Sequence, residues 1–269
     1  MEYTNSLASM RKAAGCSYLG ATKHSAKMNY SFNAGVETYC IYLAPADMSG
    51  FNVCPNSKFC KESCLNGAGH NKADILAHGA ELSKINLSRV KKTKLFFEDR
   101  ELFMRLMVAE IMSAKKRAEK NGRQFAIRIN GTSDLSPEMF VLNGKNILEI
   151  FPDVQFYDYT KVPTRFPLME KYKNYDLTFS YNGYNWNTCE KFLEMGGKVA
   201  VVFDGPLPTK FHGYDVIDAN GYDMRYLDPA STIMGLHYHA TANDYVNGKR
   251  VKPNTKFVVD PETNIHCEF

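Results

Sequence analysis

Residues 125–130 read FAIRIN, 154–160 VQFYDYT, 176–181 DLTFSY and 198–204 KVAVVFD. Each is a short run rich in β-branched and aromatic residues, the composition of a strand. Helical patterns lie between them: Pro137–Ile150 behind the Ser136 cap, a shorter one near Pro163–Tyr172, and Thr188–Met195 between Asn187 and Gly196-Gly197. Strands that alternate with helices imply a mostly parallel sheet with right-handed crossovers. Further strands are expected at Thr38–Ala44, Tyr214–Asp218, Thr232–Tyr238 and Lys256–Val259, and amphipathic helices at Lys72–Lys94 and Glu98–Lys120. About eight strands in roughly 250 residues fit a complete or partial (β/α) barrel, with an open doubly wound sheet as the alternative. Gly15, Gly20 and Gly35 break any period in residues 1–36, which read as an irregular arm; residues 37–269 read as one domain, with a cysteine loop at 45–70.

The chain has 269 residues, is 44% hydrophobic and 23% charged, and carries a net charge of +4. This balance excludes disordered, collagen-like and membrane-spanning classes, and a core of ordinary size is available. The N-terminal MEYTNSLASMRKAAG has no apolar segment of the secretory kind, so a cytoplasmic protein is expected. The charge is too mild and dispersed to mark a nucleic-acid binder, although 16 tyrosines and 17 phenylalanines leave stacking surface for one.

A sheet covered by helices on both faces is normally apolar on both. Here Phe125, Ile127 and Ile129 share one face and Ala126, Arg128 and Asn130 the other; Leu177, Phe179 and Tyr181 oppose Asp176, Thr178, Ser180 and Asn182. The polar faces and strand ends point to a ligand cavity lined by Asn130, Asp134, Tyr157, Ser180, Asn182 and Asp204. An antiparallel sheet with one solvated face would alternate in the same way. Arg128, in mid-strand on the inward face, needs an anion, which Asp134, Asp204 or a ligand could supply. Lys161, at a strand end among aromatic residues, should either titrate low or pair with a carboxylate or phosphate. Arg128, Asp134 and Lys161 are the candidate catalytic groups, and a small polar or anionic molecule is the expected ligand.

Cys54, Cys60 and Cys64 fall within 11 residues, where uniform scatter of seven cysteines predicts about 0.3. The four-residue step from Cys60 to Cys64 puts both thiols on one face if that segment is helical. Soft thiolates suit an iron–sulfur cluster or zinc. No C-x2-C knuckle is present, whereas a cubane [4Fe–4S] cluster can be held by three cysteines; unliganded thiols are the third reading. Cys40 is a candidate fourth ligand. His237 and His239, on one strand face, and His70 are weaker candidates for metal.

The motifs LAPADMSGFNVCPNSKFCKESCL, RINGTSD, FYDYTK, LTFS, VAVVF and DMRYLDP, spread from Leu43 to Pro229, resemble the bacteriophage gene-88-protein-like family. That resemblance implies a phage or plasmid origin and a metal-cluster protein. A more distant likeness is to radical-SAM enzymes, which carry three cluster cysteines after the first barrel strand; it implies Cys54, Cys60 and Cys64 as ligands. Their spacing of five and three intervening residues departs from that family's three and two, and RINGTSD stands where a Gly-Gly-Glu motif would, which speaks against S-adenosylmethionine. The function expected is a phage-type iron–sulfur protein, a redox or Lewis-acid enzyme served by an electron-donor protein. The rival is a non-catalytic, metal-stabilised module binding host protein or nucleic acid.

Overall fold

The computed structural model describes residues 6–22, 25–81, 83–253 and 255–269. The chain opens with α1 (Leu7–Ala14), β1 (Gly20–Ala21), α2 (Ala26–Asn33) and β2 (Val36–Ile41), followed by α3 (Gly69–His78), α4 (Lys84–Glu98), α5 (Arg100–Lys120) and β3 (Gln124–Arg128). A hairpin of β4 (Val141–Leu142) and β5 (Lys145–Asn146) leads to α6 (Ile147–Ile150), β6 (Gln155–Thr160), α7 (Pro167–Lys171) and β7 (Tyr175–Ser180). Then come α8 (Trp186–Glu194), β8 (Lys198–Phe203), β9 (Lys210–Phe211), β10 (Tyr214–Asp218) and β11 (Thr232–His237). Four two-residue strands close the chain: β12 (Tyr245–Val246), β13 (Lys249–Arg250), β14 (Val258–Val259) and β15 (Cys267–Glu268).

These residues fall into two compact units. The first comprises Met1–Cys54, Lys84–Asp158 and Pro167–Asp176; the second comprises Pro55–Ser83, Tyr159–Phe166 and Leu177–Phe269. In the first unit β2 runs parallel to β3, with Val36 opposite Gln124 and Cys40 opposite Arg128, and β3 runs parallel to β6. The short β1 borders β2 in antiparallel sense. Helix α5 is capped by Asp99, whose carboxylate accepts the Leu102 N–H at 3.0 Å, and Arg117 and Lys120 complement the dipole of its last turn. Its stripe of Leu102, Leu106, Met107, Ile111 and Ala114 is buried, as its period requires.

In the second unit β7, β8, β11 and β10 are parallel neighbours in that order, and β9 and β15 continue antiparallel. Strand β7 stops at Ser180, opposite Ala200, and β14 takes up the position beside Val202 and Phe203. Phe192 of α8 packs edge-on against Phe179 of β7, with Phe166 stacked on Phe192 at 4.0 Å.

The structure is therefore mixed α/β with a mostly parallel sheet. The antiparallel alternative fails, because the strands whose faces alternate pair in parallel and their polar faces are buried: Thr178 is 0% and Asn130 2% exposed. Among the described residues no ladder in either unit returns from its last strand to its first, so no closed barrel forms. The departure begins at β10, which lies outside β11 instead of beside β8 and is followed by antiparallel strands.

Three local expectations change. The arm is not irregular where described: Ser6 and Ser25 cap α1 and α2, and Gly15 ends a helix instead of preventing one. The helix expected over Lys72–Lys94 is two, because Gly79 takes φ 85° and its N–H caps the Ile75 carbonyl at 2.8 Å. The one expected over Pro137–Ile150 contains the β4–β5 hairpin, built on Asn143-Gly144, a dipeptide that favours the tight hairpin turn.

Candidate functional site

The RINGTSD segment leaves β3 and pins the chain that follows β2. The Gly131 N–H donates to the Ile41 carbonyl at 2.8 Å, Thr132 Oγ1 to the Leu43 carbonyl at 2.6 Å, and the Asp134 N–H to the Val53 carbonyl at 2.8 Å. Backbone meets backbone so closely that a Cβ on Gly131 would lie 2.6 Å from the Ile41 oxygen. Cys54 follows Val53, and its Sγ lies 3.8 Å from the Thr132 carbonyl oxygen.

Asn130 organises this turn. Its Nδ2 donates to the Leu135 carbonyl (2.9 Å) and to Asp158 Oδ2 (3.1 Å); its Oδ1 accepts from Ser133 Oγ (2.8 Å) and the Leu135 N–H (2.9 Å). Two donors and two lone pairs are the whole capacity of the amide, and all are used within the protein. Asp158 also accepts the Asn130 N–H at 2.9 Å and Tyr175 Oη at 3.3 Å. Tyr157 and Asp134 are buried, and Arg128 is half-buried at the end of β3, in register with the buried Cys40.

The remainder of the cysteine loop belongs to the second unit. Asn56 Nδ2 donates to the Lys161 carbonyl at 2.7 Å, Thr255 Oγ1 to the Phe59 carbonyl at 2.9 Å, and Asn243 Nδ2 to the Glu62 carbonyl at 2.8 Å. The Phe59 ring lies 4.3 Å from that of Tyr184. Cys60 and Cys64 are half-buried, Cys60 Sγ lies 3.7 Å from the Ser57 carbonyl oxygen, and no described cysteine forms a disulfide. Lys161 Nζ sits 5.2 Å from the Phe257 ring centroid.

Asn182 Oδ1 accepts the Tyr184 N–H at 2.9 Å, closing a turn, and the Ser180 carbonyl accepts from Asn185 Nδ2 at 3.1 Å. Asp204 pairs with Arg250 at 2.6 Å. His237 Nδ1 lies 3.2 Å from the Gly205 carbonyl oxygen, and His70 is exposed on α3.

Of the site residues of the first unit, Asn130 is tied into the turn that carries Asp134 and to Asp158, while Asn182 and Asp204 are engaged by partners of their own in the second. Among the described residues no three His, Cys, Asp or Glu side chains are grouped so as to hold a metal ion. Cys54, Cys60 and Cys64 accordingly do not stand as a preformed ligand set. Elsewhere burial pushes the Cys189 thiol up to about 12 and the Cys267 thiol to about 11, so neither supplies a thiolate at neutral pH.

The DMRYLDP segment has a different character. Arg225 Nε lies 3.0 Å from Asp228 Oδ2 with both side chains fully buried, Arg225 Nη2 donates to the Tyr222 carbonyl at 2.8 Å, and Tyr222 Oη donates to Asp228. Lys198 Nζ donates to the Arg225 carbonyl at 2.6 Å. Lys198 begins β8, so this network sits at the N-terminal end of that strand, the end that serves stability rather than ligand binding in parallel α/β folds.

Sequence reasoning passed over Asp158, Glu110 and Lys92. Asp158 could have been found from its alternation with the apolar positions of β6, and Lys92 from its place four residues before Phe96, on the buried stripe of α4.

No helix among the described residues is long and apolar enough to cross a membrane. Comparison with the curated proteins and with the solved structures finds no match. The family model described as gene product 88 matches residues 10–255, nearly the whole chain, and the protein belongs to this phage gene-product family.

Proposed function

We propose that the chain is a phage-type iron–sulfur protein in which Cys54, Cys60 and Cys64 hold a [4Fe–4S] cluster, acting as a redox or Lewis-acid enzyme on a small polar substrate. One observation carries this reading: three cysteines, none in a disulfide, concentrate in a segment between Ile41 and Leu65 that contains no helix or strand. Irregular stretches longer than about 12–15 residues inside a compact chain usually carry function, because their backbone gains little from regular pairing. The segment is held at Val53 by the RINGTSD turn and at Asn56, Phe59 and Glu62 by side-chain donors, and the three thiols lie on the stretch these contacts anchor.

Cluster binding requires the loop to close and bring the three sulfurs to one point, so assembly and local folding are coupled. In this reading Arg128 and Lys161 would meet an anionic substrate, with Asp134 as the acid.

Anaerobically purified protein should be brown, absorb at about 400 nm and give an EPR signal on reduction. Cys60→Ser should remove the chromophore while leaving the far-UV circular dichroism intact. Colourless protein from cells supplied with iron and sulfide rejects the assignment.

The saturation of the Asn130 amide by protein partners, with Asn182 and Asp204 each also holding a protein contact, favours a second reading, a non-catalytic module binding host protein or nucleic acid. Fluorescence anisotropy with single-stranded and duplex oligonucleotides over a salt series separates its nucleic-acid form: tight, steeply salt-dependent binding supports it.

A further inference from the structure

Lys84, Ser88, Arg89 and Lys92 stand at i, i+4, i+5 and i+8 on α4 and so share one helical face. With Tyr18 and Tyr42 they line a cavity of about 200 Å³, and no acidic side chain lines it among the described residues. Lys92 is the unusual member. It is only 6% exposed, yet it makes no hydrogen bond or ion pair with a described residue; its ammonium faces the Tyr18 ring, 4.5 Å from the centroid. Arg89 lies over the Tyr42 ring at 5.3 Å.

The carboxylate whose field reaches Lys92 is already committed. Glu110 accepts from Arg11 Nε and Nη2 (3.1 and 3.0 Å), from the Leu19 and Gly20 N–H groups, and from Tyr39 Oη (2.8 Å). Burial lowers the Lys92 pKa from its ordinary value, and the opposing influence of Cys16 and Glu110 does not restore it. A charge on a side chain this deeply buried is costly, and an anion entering the cavity that Lys92 lines would relieve that cost.

We propose that this cavity binds the phosphate group of a small ligand, with Lys92 as its buried cation and Arg89 and Ser88 as further donors. Two lysines, the planar fork of an arginine and a hydroxyl suit a dianion with several acceptor oxygens better than a single carboxylate. The flanking tyrosines offer ring faces to whatever the phosphate carries. This site stands whether or not the cysteine loop holds a cluster.

Isothermal titration calorimetry of the full chain with inorganic phosphate and pyrophosphate, and with malonate as the carboxylate comparator, tests it. Saturable phosphate binding should weaken at least tenfold in Lys92→Met, which keeps the packed stem and removes the charge, and should be unchanged in Lys94→Met on the exposed side of the same helix. Ser88→Glu, at an exposed position where folding is not at risk, should also abolish binding. Without ligand, Lys92→Met should melt at a higher temperature than the parent, and phosphate should no longer raise its Tm. Absence of saturable binding, or equal affinity in Lys92→Met, overturns the site; malonate binding as tightly as phosphate overturns the phosphate assignment.

Discussion

Asn130, Asp158 and Tyr175 show how a residue that reads as a ligand contact can be structural. An Asn at a strand end looks available, and the four hydrogen bonds of its side-chain amide to protein groups become visible only when the turn it closes is seen. The Arg225–Asp228 pair is the same case with charge. Both side chains are wholly buried, so Asp228→Ala strands a guanidinium without its partner and should cost about 3–5 kcal/mol in urea unfolding. A loss below about 1 kcal/mol would mean that water reaches Arg225.

His212 is stacked between Trp186 (3.8 Å) and His266 (3.7 Å), and burial, with the second imidazole, lowers its pKa to about 4. The unfolded chain takes up this proton at about 6.5. Stability is therefore intact above that pH and falls as the pH drops toward about 4. Trp186 is the only tryptophan, so fluorescence reports the site: the titration midpoint should lie near 4, and a midpoint at the free-histidine value would contradict the packing.

At this scale the cysteine cluster was legible, because clustering is a property of the sequence itself. The states of Lys92 and Glu110 were not, since burial and counter-ion are properties of neighbours distant along the chain.

Strands and their faces were the most legible elements. Tyr214–Asp218 forms as read, and the others shift by one to three residues at their ends, apart from the last, which shrinks to Val258–Val259. Alternation survives any context that buries one face. Helices failed where a local signal interrupted a longer apolar period: Gly79 divided one, and Asn143-Gly144 turned another into a hairpin. The glycine of RINGTSD acts at this level as well, because it lets the turn after β3 lie against the end of β2. Gly131→Ala drives a Cβ to 2.6 Å from the Ile41 oxygen and 2.7 Å from the Tyr42 ring. The pair must separate, and thermal unfolding should show a loss of about 2 kcal/mol or more. An unchanged Tm would show that this close approach is not needed.

For the molecule as a whole, strand–helix alternation correctly implied a mostly parallel sheet, but it contained nothing about closure. Whether β10 follows β8 around a barrel or passes outside β11 depends on connections with no periodic signature. Nor does the spacing of cysteines reveal whether their sulfurs meet, and the described residues hold no ready-made ligand set. Membership of the gene product 88 family is the firmest whole-chain statement, and the chemistry proposed above rests on the cysteine loop alone.

The most direct test of that chemistry is quantitation of iron and acid-labile sulfide in full-length protein purified without oxygen, beside the Cys54→Ser, Cys60→Ser and Cys64→Ser variants. The proposal predicts about four of each per parent chain and a large loss in every variant. Parent protein that carries zinc alone, or iron that all three variants retain, would contradict it.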